Sequence, residues 1–258
     1  MTEWQDIKGT WVLVPKRQVG MIHFLGGAFV ATAPHLTYSR LLEQLSEQGY
    51  VVVATPFVSS LDHQLIAEEV LANFERTIER LDDRGLLRRR YLPVYGLGHS
   101  MGCKLHLLIG SLFEVERAGN VLISFNNYAA KDAIPFMDQL SESFSVDFTP
   151  TPQETRQIVA SQYQIKRNLL VKFSNDTIDQ SIPLYKILDD RFANMVTLCK
   201  LPGNHLTPLG QDLKWQTGTN FTPLDAIGQW LKQNLNPELQ QLNQEIGRWL
   251  NPFHPGNP

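Results

Sequence analysis

The chain has 258 residues, of which 43% are hydrophobic and 19% charged, with a net charge of −3. That balance excludes a disordered chain, which lacks the apolar surface to offset its conformational entropy. It argues equally against a protein that coats nucleic acid, which needs a basic surface to displace counterions; RLDDRGLLRRR (80–90) is the one dense basic stretch.

TWVLVP (10–15) and VGMIHFLGG (19–27) read as two strands around a turn at Pro15–Gln18. HLTYSRLLEQLSEQGY (35–50) carries Leu36, Leu41, Leu42 and Leu45 near helical spacing and stops at Gly49. YVVVATP (50–56) is a continuous β-branched run, as in a strand buried on both faces. In HQLIAEEVLANFERTIERL (63–81), Ile66, Val70, Phe74, Ile78 and Leu81 share one helical stripe. YLPVYGLGHS (91–100) is a strand entering a turn, MGCKLHLLIGSLF (101–113) a helix, and NVLISFN (120–126) a strand. After a break at 127–167 the rhythm resumes with a strand at 168–176, a helix at 182–192, a strand and loop at 195–205 and a closing helix at 221–235.

Strand–helix–strand repetition predicts an α/β fold, a mostly parallel sheet with helices on both faces. The break is too long for a simple connection. It reads as a small helical cap (127–167) inserted into a core formed by 1–126 and 168–235, with 236–258 as a C-terminal amphipathic segment and tail. MTEWQDIKGTW lacks the charged and apolar regions of a secretory signal. No run approaches the roughly 18 apolar residues of a membrane helix. The two cysteines, Cys103 and Cys199, form neither a disulfide framework nor a metal-ligand spacing. Together these features set the expectation of a cytoplasmic protein.

Residues 98–102 read Gly98-His99-Ser100-Met101-Gly102, a G-x-S-x-G between a strand and a helix. A serine that must project from a sheet sits on a sharp, strained turn, and side chains two residues either side would collide with the neighbouring helix and strand. The helix that follows aims its first amides at the place where an oxyanion would form. With this strand–serine–helix turn the chain resembles the α/β-hydrolase superfamily over nearly its whole length. The resemblance implies an acid and then a histidine later in the chain. Asp176 follows the strand NLLVKF, and His205 follows MVTLCKL in the loop LPGNHLTP. Asp179 is the competing acid; Asp176 is preferred because it lies closer to a strand end, where position is better held. His23 and His99 read as structural or pocket-lining histidines, and His35, His63, His106 and His254 as background.

HFLGGAFV (23–30) is similar to the H-G-G-type loop of these hydrolases, which supplies one oxyanion amide. The matching positions are Gly26, Gly27, Ala28 and Phe29, and Met101, after the nucleophile, supplies the second amide. A dinucleotide site is disfavoured, since G-x-G-x-x-G is absent after the early strands. Phe136, Met137, Leu140 and Phe144 fall near helical spacing, as in either an apolar lid over the serine, which would suit an apolar acyl substrate, or ordinary packing. Cys103 and Lys104 stand where small residues often open the nucleophile helix, so bulk there narrows the site. The segments HFLGGAFVATAPHLTYSRLLEQL, GLGHSMGCKLHLLI and LLVKFSNDTIDQS also resemble an uncharacterised hydrolase-like family of oxygenic phototrophs. The resemblance implies a serine hydrolase acting on a small-molecule ester or thioester, with Ser100 as nucleophile, His205 as base and Asp176 as orienting acid. Such a mechanism requires no cofactor or metal. The other reading is a catalytically silent hydrolase fold used as a binding or assembly factor.

Overall fold

The computed structural model describes residues 2–88, 91–129, 147–209 and 236–251. The chain opens with a hairpin, β1 (Gln5–Ile7) and β2 (Thr10–Leu13). Its two turn residues, Lys8 and Gly9, lie at φ 53° and 88°, the positive angles that match a two-residue turn to the twist of the strands it joins. Then come β3 (Gly20–Leu25), the short α1 (Pro34–Thr37), α2 (Ser39–Glu47) and β4 (Tyr50–Ala54). They are followed by α3 (His63–Asp83), β5 (Val94–His99), α4 (Met101–Leu112) and β6 (Gly119–Ile123). The remaining described elements are α5 (Pro152–Gln162), β7 (Asn168–Phe173), α6 (Ser181–Arg191), β8 (Val196–Leu201) and α7 (Asn236–Leu250).

The strands form one sheet in the order β1-β2-β4-β3-β5-β6-β7-β8, antiparallel as far as the β2–β4 pair and parallel from β4 to β8. The central strands bury both faces. Val121 and Ile123 of β6, with Leu169, Val171 and Phe173 of β7, pack with Leu41 and Leu45 of α2 and Leu242 and Ile246 of α7. Leu122 and Leu170, one residue out of phase, pack on the other face with Leu107 of α4 and Leu188 of α6. This is why these strands read as unbroken apolar runs rather than alternating ones. Each such side chain contributes about 1.5–3 kcal/mol when fully buried.

One difference from the sequence reading bears on the site. The helix expected over 35–50 is divided at Tyr38, which sits at φ −119°, ψ 17°, and Leu36 is exposed rather than part of the buried stripe. Within the segment read as an insertion, α5 starts on a capping box between Thr151 and Glu154. Its Val159, with Tyr163 just beyond, packs against Cys103 and Leu107 of α4. Phe136, Met137, Leu140 and Phe144, and the closing helix expected at 221–235, lie outside the described residues.

After β4 the chain passes back beyond β3 to build β5, so the strand order reverses between these strands. In open α/β sheets the crevice at the carboxyl ends of strands beside such a reversal is the usual place for a ligand. The loops after β3, β5, β6, β7 and β8 all open there.

Candidate active site

Ser100 stands between β5 and α4 at φ 55°, ψ −117°, in the left-handed region that ordinary residues avoid. The two flanking glycines are required by space. A Cβ on Gly98 would lie 2.7 Å from the backbone of Gly102 and Cys103, and one on Gly102 would overlap the Leu25 carbonyl oxygen of β3. The Ser100 N–H donates to the Ile123 carbonyl of β6 at 2.9 Å, which fastens the turn to the neighbouring strand. Met101 opens α4, so its N–H has no acceptor inside the helix.

The loops after β7 and β8 are laced together. Ser174 N–H donates to the Leu201 carbonyl and Asn175 N–H to the Gly203 carbonyl, both at 2.9 Å. This brings Asp176 and His205 together: Asp176 Oδ2 lies 2.8 Å from His205 Nδ1, and His205 Nε2 lies 3.1 Å from Ser100 Oγ. The Asp176 carboxyl is fully buried at its side chain and accepts a second hydrogen bond from Ile178 N–H at 3.1 Å. Burial disfavours its charge, but its hydrogen bonds, above all that from His205, and electrostatic attraction to that ring outweigh this, and the carboxyl is held below its ordinary range. An ionised carboxylate only accepts, so Nδ1 carries the hydrogen and Nε2 is left to accept from the Ser100 hydroxyl. The competing Asp179 is turned elsewhere. It pairs with Lys172 at 3.1 Å and accepts from the backbone and hydroxyl of Ser181, each at 2.9 Å.

A second chain of hydrogen bonds runs beneath the site. His99 Nε2 is 2.8 Å from the backbone carbonyl of His205, His99 Nδ1 is 2.8 Å from Tyr38 Oη, and Tyr38 Oη accepts from Gly27 N–H at 2.9 Å. A carbonyl only accepts, so Nε2 carries the hydrogen. Burial, reinforced by His205, pushes the His99 ring down to about 3; it is therefore neutral, and Nδ1 accepts from the Tyr38 hydroxyl. Every member is satisfied in one direction only. The chain ties the glycine loop after β3 to the backbone of His205, and it divides the helix at Tyr38 so that the ring can turn inward. It also commits the Gly27 N–H, one of the oxyanion amides expected from sequence. Of the four positions, Gly26 does not line the cavity, Phe29 is exposed, and Ala28 lies on the wall beside Ser100 with Met101.

Asn126, just after β6, donates from Nδ2 to Ser100 Oγ at 3.1 Å. Sequence reasoning missed it, because an asparagine after a strand is an ordinary loop residue; its only signal is its place at the carboxyl end of the strand next to the elbow. Ser100, His99, His205 and Asn126 all border a cavity of about 700 Å³ with largely apolar walls. Cys103 lies beneath it, its Sγ 3.2 Å from the carbonyls of Gly98 and Ile123, whereas Lys104 borders the cavity itself. Among the described residues, no cluster of three or more His, Cys, Asp or Glu is placed to hold a metal ion, and no helix is long and apolar enough to cross a membrane.

The sheet order, the strained serine turn and the layered helices define the α/β-hydrolase fold. Carboxyl esterase 2 from the mycorrhizal fungus Tuber melanosporum shares it at 15% identity and a TM-score of 0.63, over 98% of this chain and 88% of that one. The Est2 esterase of Thermogutta terrifontis, solved with butyrate bound, matches at 12% identity and a TM-score of 0.59, over 99% and 96% of the two chains. The fluorophosphonate-binding serine hydrolase F of Staphylococcus aureus matches at 15% identity and a TM-score of 0.54, over 80% and 91%. Likeness at such identities carries the fold alone. The chain belongs to the family described as protein of unknown function (DUF1350), which it matches over residues 3–252. No curated protein matches its sequence.

Proposed function

We propose that this protein is a serine hydrolase that cleaves an ester or thioester through an acyl-enzyme. One observation carries the reading: the unbroken hydrogen-bonded line from Asp176 through His205 to Ser100, at 2.8 and 3.1 Å, ending on a serine held at φ 55°. Strain of this kind persists where the surroundings over-determine it, and it clusters at reactive sites. The esterases and the serine hydrolase that share the fold support the same reading.

In the first step His205 Nε2 takes the Ser100 proton as Oγ attacks the scissile carbonyl, while Asp176 holds the ring in one tautomer and stabilises the imidazolium. The N–H groups of Met101 and Ala28 receive the developing oxyanion. His205 returns the proton to the leaving alkoxide or thiolate, and the acyl group stays on Oγ. Water then repeats the sequence in reverse, releasing the acid and restoring the serine. Asn126 Nδ2 donates to Oγ in the resting site and so helps to position the hydroxyl before attack. A fluorophosphonate probe should label the wild-type chain on Ser100 and leave Ser100→Ala unlabelled. Hydrolysis of a short-chain aryl ester should fall by at least about a thousandfold in that variant. A wild-type chain that neither takes the probe nor turns over any ester overturns the reading.

A further inference from the structure

One helical turn beyond Ser100 on α4, Lys104 is only 2% exposed, yet it borders the same cavity as the nucleophile. Enclosing an ammonium group is costly unless it is paired. Its protein hydrogen bond among the described residues is a single one, from Nζ to the Pro150 carbonyl at 2.9 Å. It takes part in none of the ion pairs between described residues. An ammonium has three donors, so two of its hydrogens have no acceptor among the described residues. Burial pushes the group down to about 7, against the pull of Asp147 and Glu154. Beside it, His63 of α3 is 5% exposed, borders the cavity, and leaves Nδ1 buried without a partner. The Phe148 ring joins the two, stacked on His63 at 4.2 Å and 5.6 Å from Lys104 Nζ.

The rest of the described cavity wall offers these donors no charged partner; its acceptors are neutral, Asn127 Oδ1 among them, which is itself buried without a partner. Among its described lining residues Lys104 is the only cation, and none is a carboxylate. A leucine or methionine at this position would cover the same wall without the desolvation cost. A buried cation with spare donors, one turn from a nucleophile, is how a site recognises an anion on the substrate it cleaves.

We propose that the substrate carries an anionic group, in its simplest form a carboxylate, which Lys104 and His63 Nδ1 hold while the scissile carbonyl rests at Ser100. This rests on the serine-hydrolase reading and narrows it: an apolar span separates the reacting carbonyl from a charged end, as in a monoester of a dicarboxylic acid.

The test compares aryl monoesters of glutaric and adipic acids with aryl esters of valeric and hexanoic acids. A parallel pair places the carboxylate on the alcohol side, using acetates of hydroxy acids against acetates of plain alcohols. In one of the two arrangements the charged ester should exceed its neutral counterpart in kcat/KM by at least about tenfold, the scale of one hydrogen-bonded charge. Lys104→Met should bring that ratio to about one, read against the rate at which the same variant takes a fluorophosphonate, which reports an intact site. In the wild-type chain, free glutarate should slow fluorophosphonate labelling at concentrations where valerate does not, a measurement independent of any variant. Turnover of neutral esters with a ratio at or below one in both arrangements, and no protection by glutarate, overturns the inference and leaves the hydrolase reading standing. Failure of labelling and of all turnover overturns both.

Discussion

At the scale of single residues, the site is decided by which of two aspartates faces the histidine. They are three positions apart, and the sequence separates them only by closeness to a strand end. The structure separates them by partner: Asp176 accepts from His205 Nδ1, and Asp179 from Lys172 and Ser181. Asp176→Asn should therefore lower kcat on an aryl ester by well over about tenfold, since loss of the orienting acid costs serine proteases up to about ten-thousandfold. Asp179→Asn should leave turnover nearly intact and lower thermal stability; measured kinetics in the reverse order would transfer the orienting role to Asp179. Ser100, Asp176 and His205 were legible because their chemistry leaves a local mark, a serine between required glycines and polar residues just past apolar strands. Tyr38 leaves none, His99 reads only as a structural or pocket-lining histidine, and Asn126 is marked only by its place after the strand next to the elbow. Tyr38 and His99 are 61 positions apart, each passes for a core aromatic, and only the folded chain brings them together.

At the scale of elements, the same relay explains why an apolar pattern that suits one helix is built as two. Continuing the helix through Tyr38 would leave the Gly27 N–H and His99 Nδ1 buried without partners, at about 1–3 kcal/mol for each such group. Tyr38→Phe keeps the ring and removes only the hydroxyl. It should lower the unfolding free energy by an amount on that scale and reduce kcat more than it raises KM, because it loosens the glycine loop after β3 and His205 together. Equal stability and equal kcat in denaturant and steady-state experiments would show that the relay is ornamental. The sheet was legible as an element because both faces of β6 and β7 are covered, which makes them continuous apolar runs. The place of α5 was not. Its periodicity resembles that of any surface helix, and its packing on α4 through Val159 depends on contacts far apart in sequence.

At the scale of the whole molecule, four histidines are held neutral by burial. His63, His99 and His106 are pushed down to about 3, and His23, which also faces Arg117, is held well below its ordinary value. In the unfolded chain they titrate near 6.5, so below that pH the unfolded state binds more protons and stability falls with acid until the folded values are reached. Each contributes up to about 1.4 kcal/mol per pH unit in that window. The urea midpoint should fall steadily from about pH 7 to about pH 5, and a flat profile would mean these rings are protonated in the fold. The proposed catalytic frame stands on a His99 held neutral by burial under the site, an Asp176 kept ionised against burial by its hydrogen bonds behind His205, and a Ser100 at positive φ in front. The most direct test of that frame is the stoichiometry of the first turnover. Mixed with excess aryl butyrate, the wild-type chain should release a burst of one aryl alcohol per chain, with the butyryl group found by mass spectrometry on Ser100. Ser100→Ala should give neither burst nor adduct, whereas steady hydrolysis that survives in that variant, with no acyl group on Ser100 in the wild type, would contradict the account.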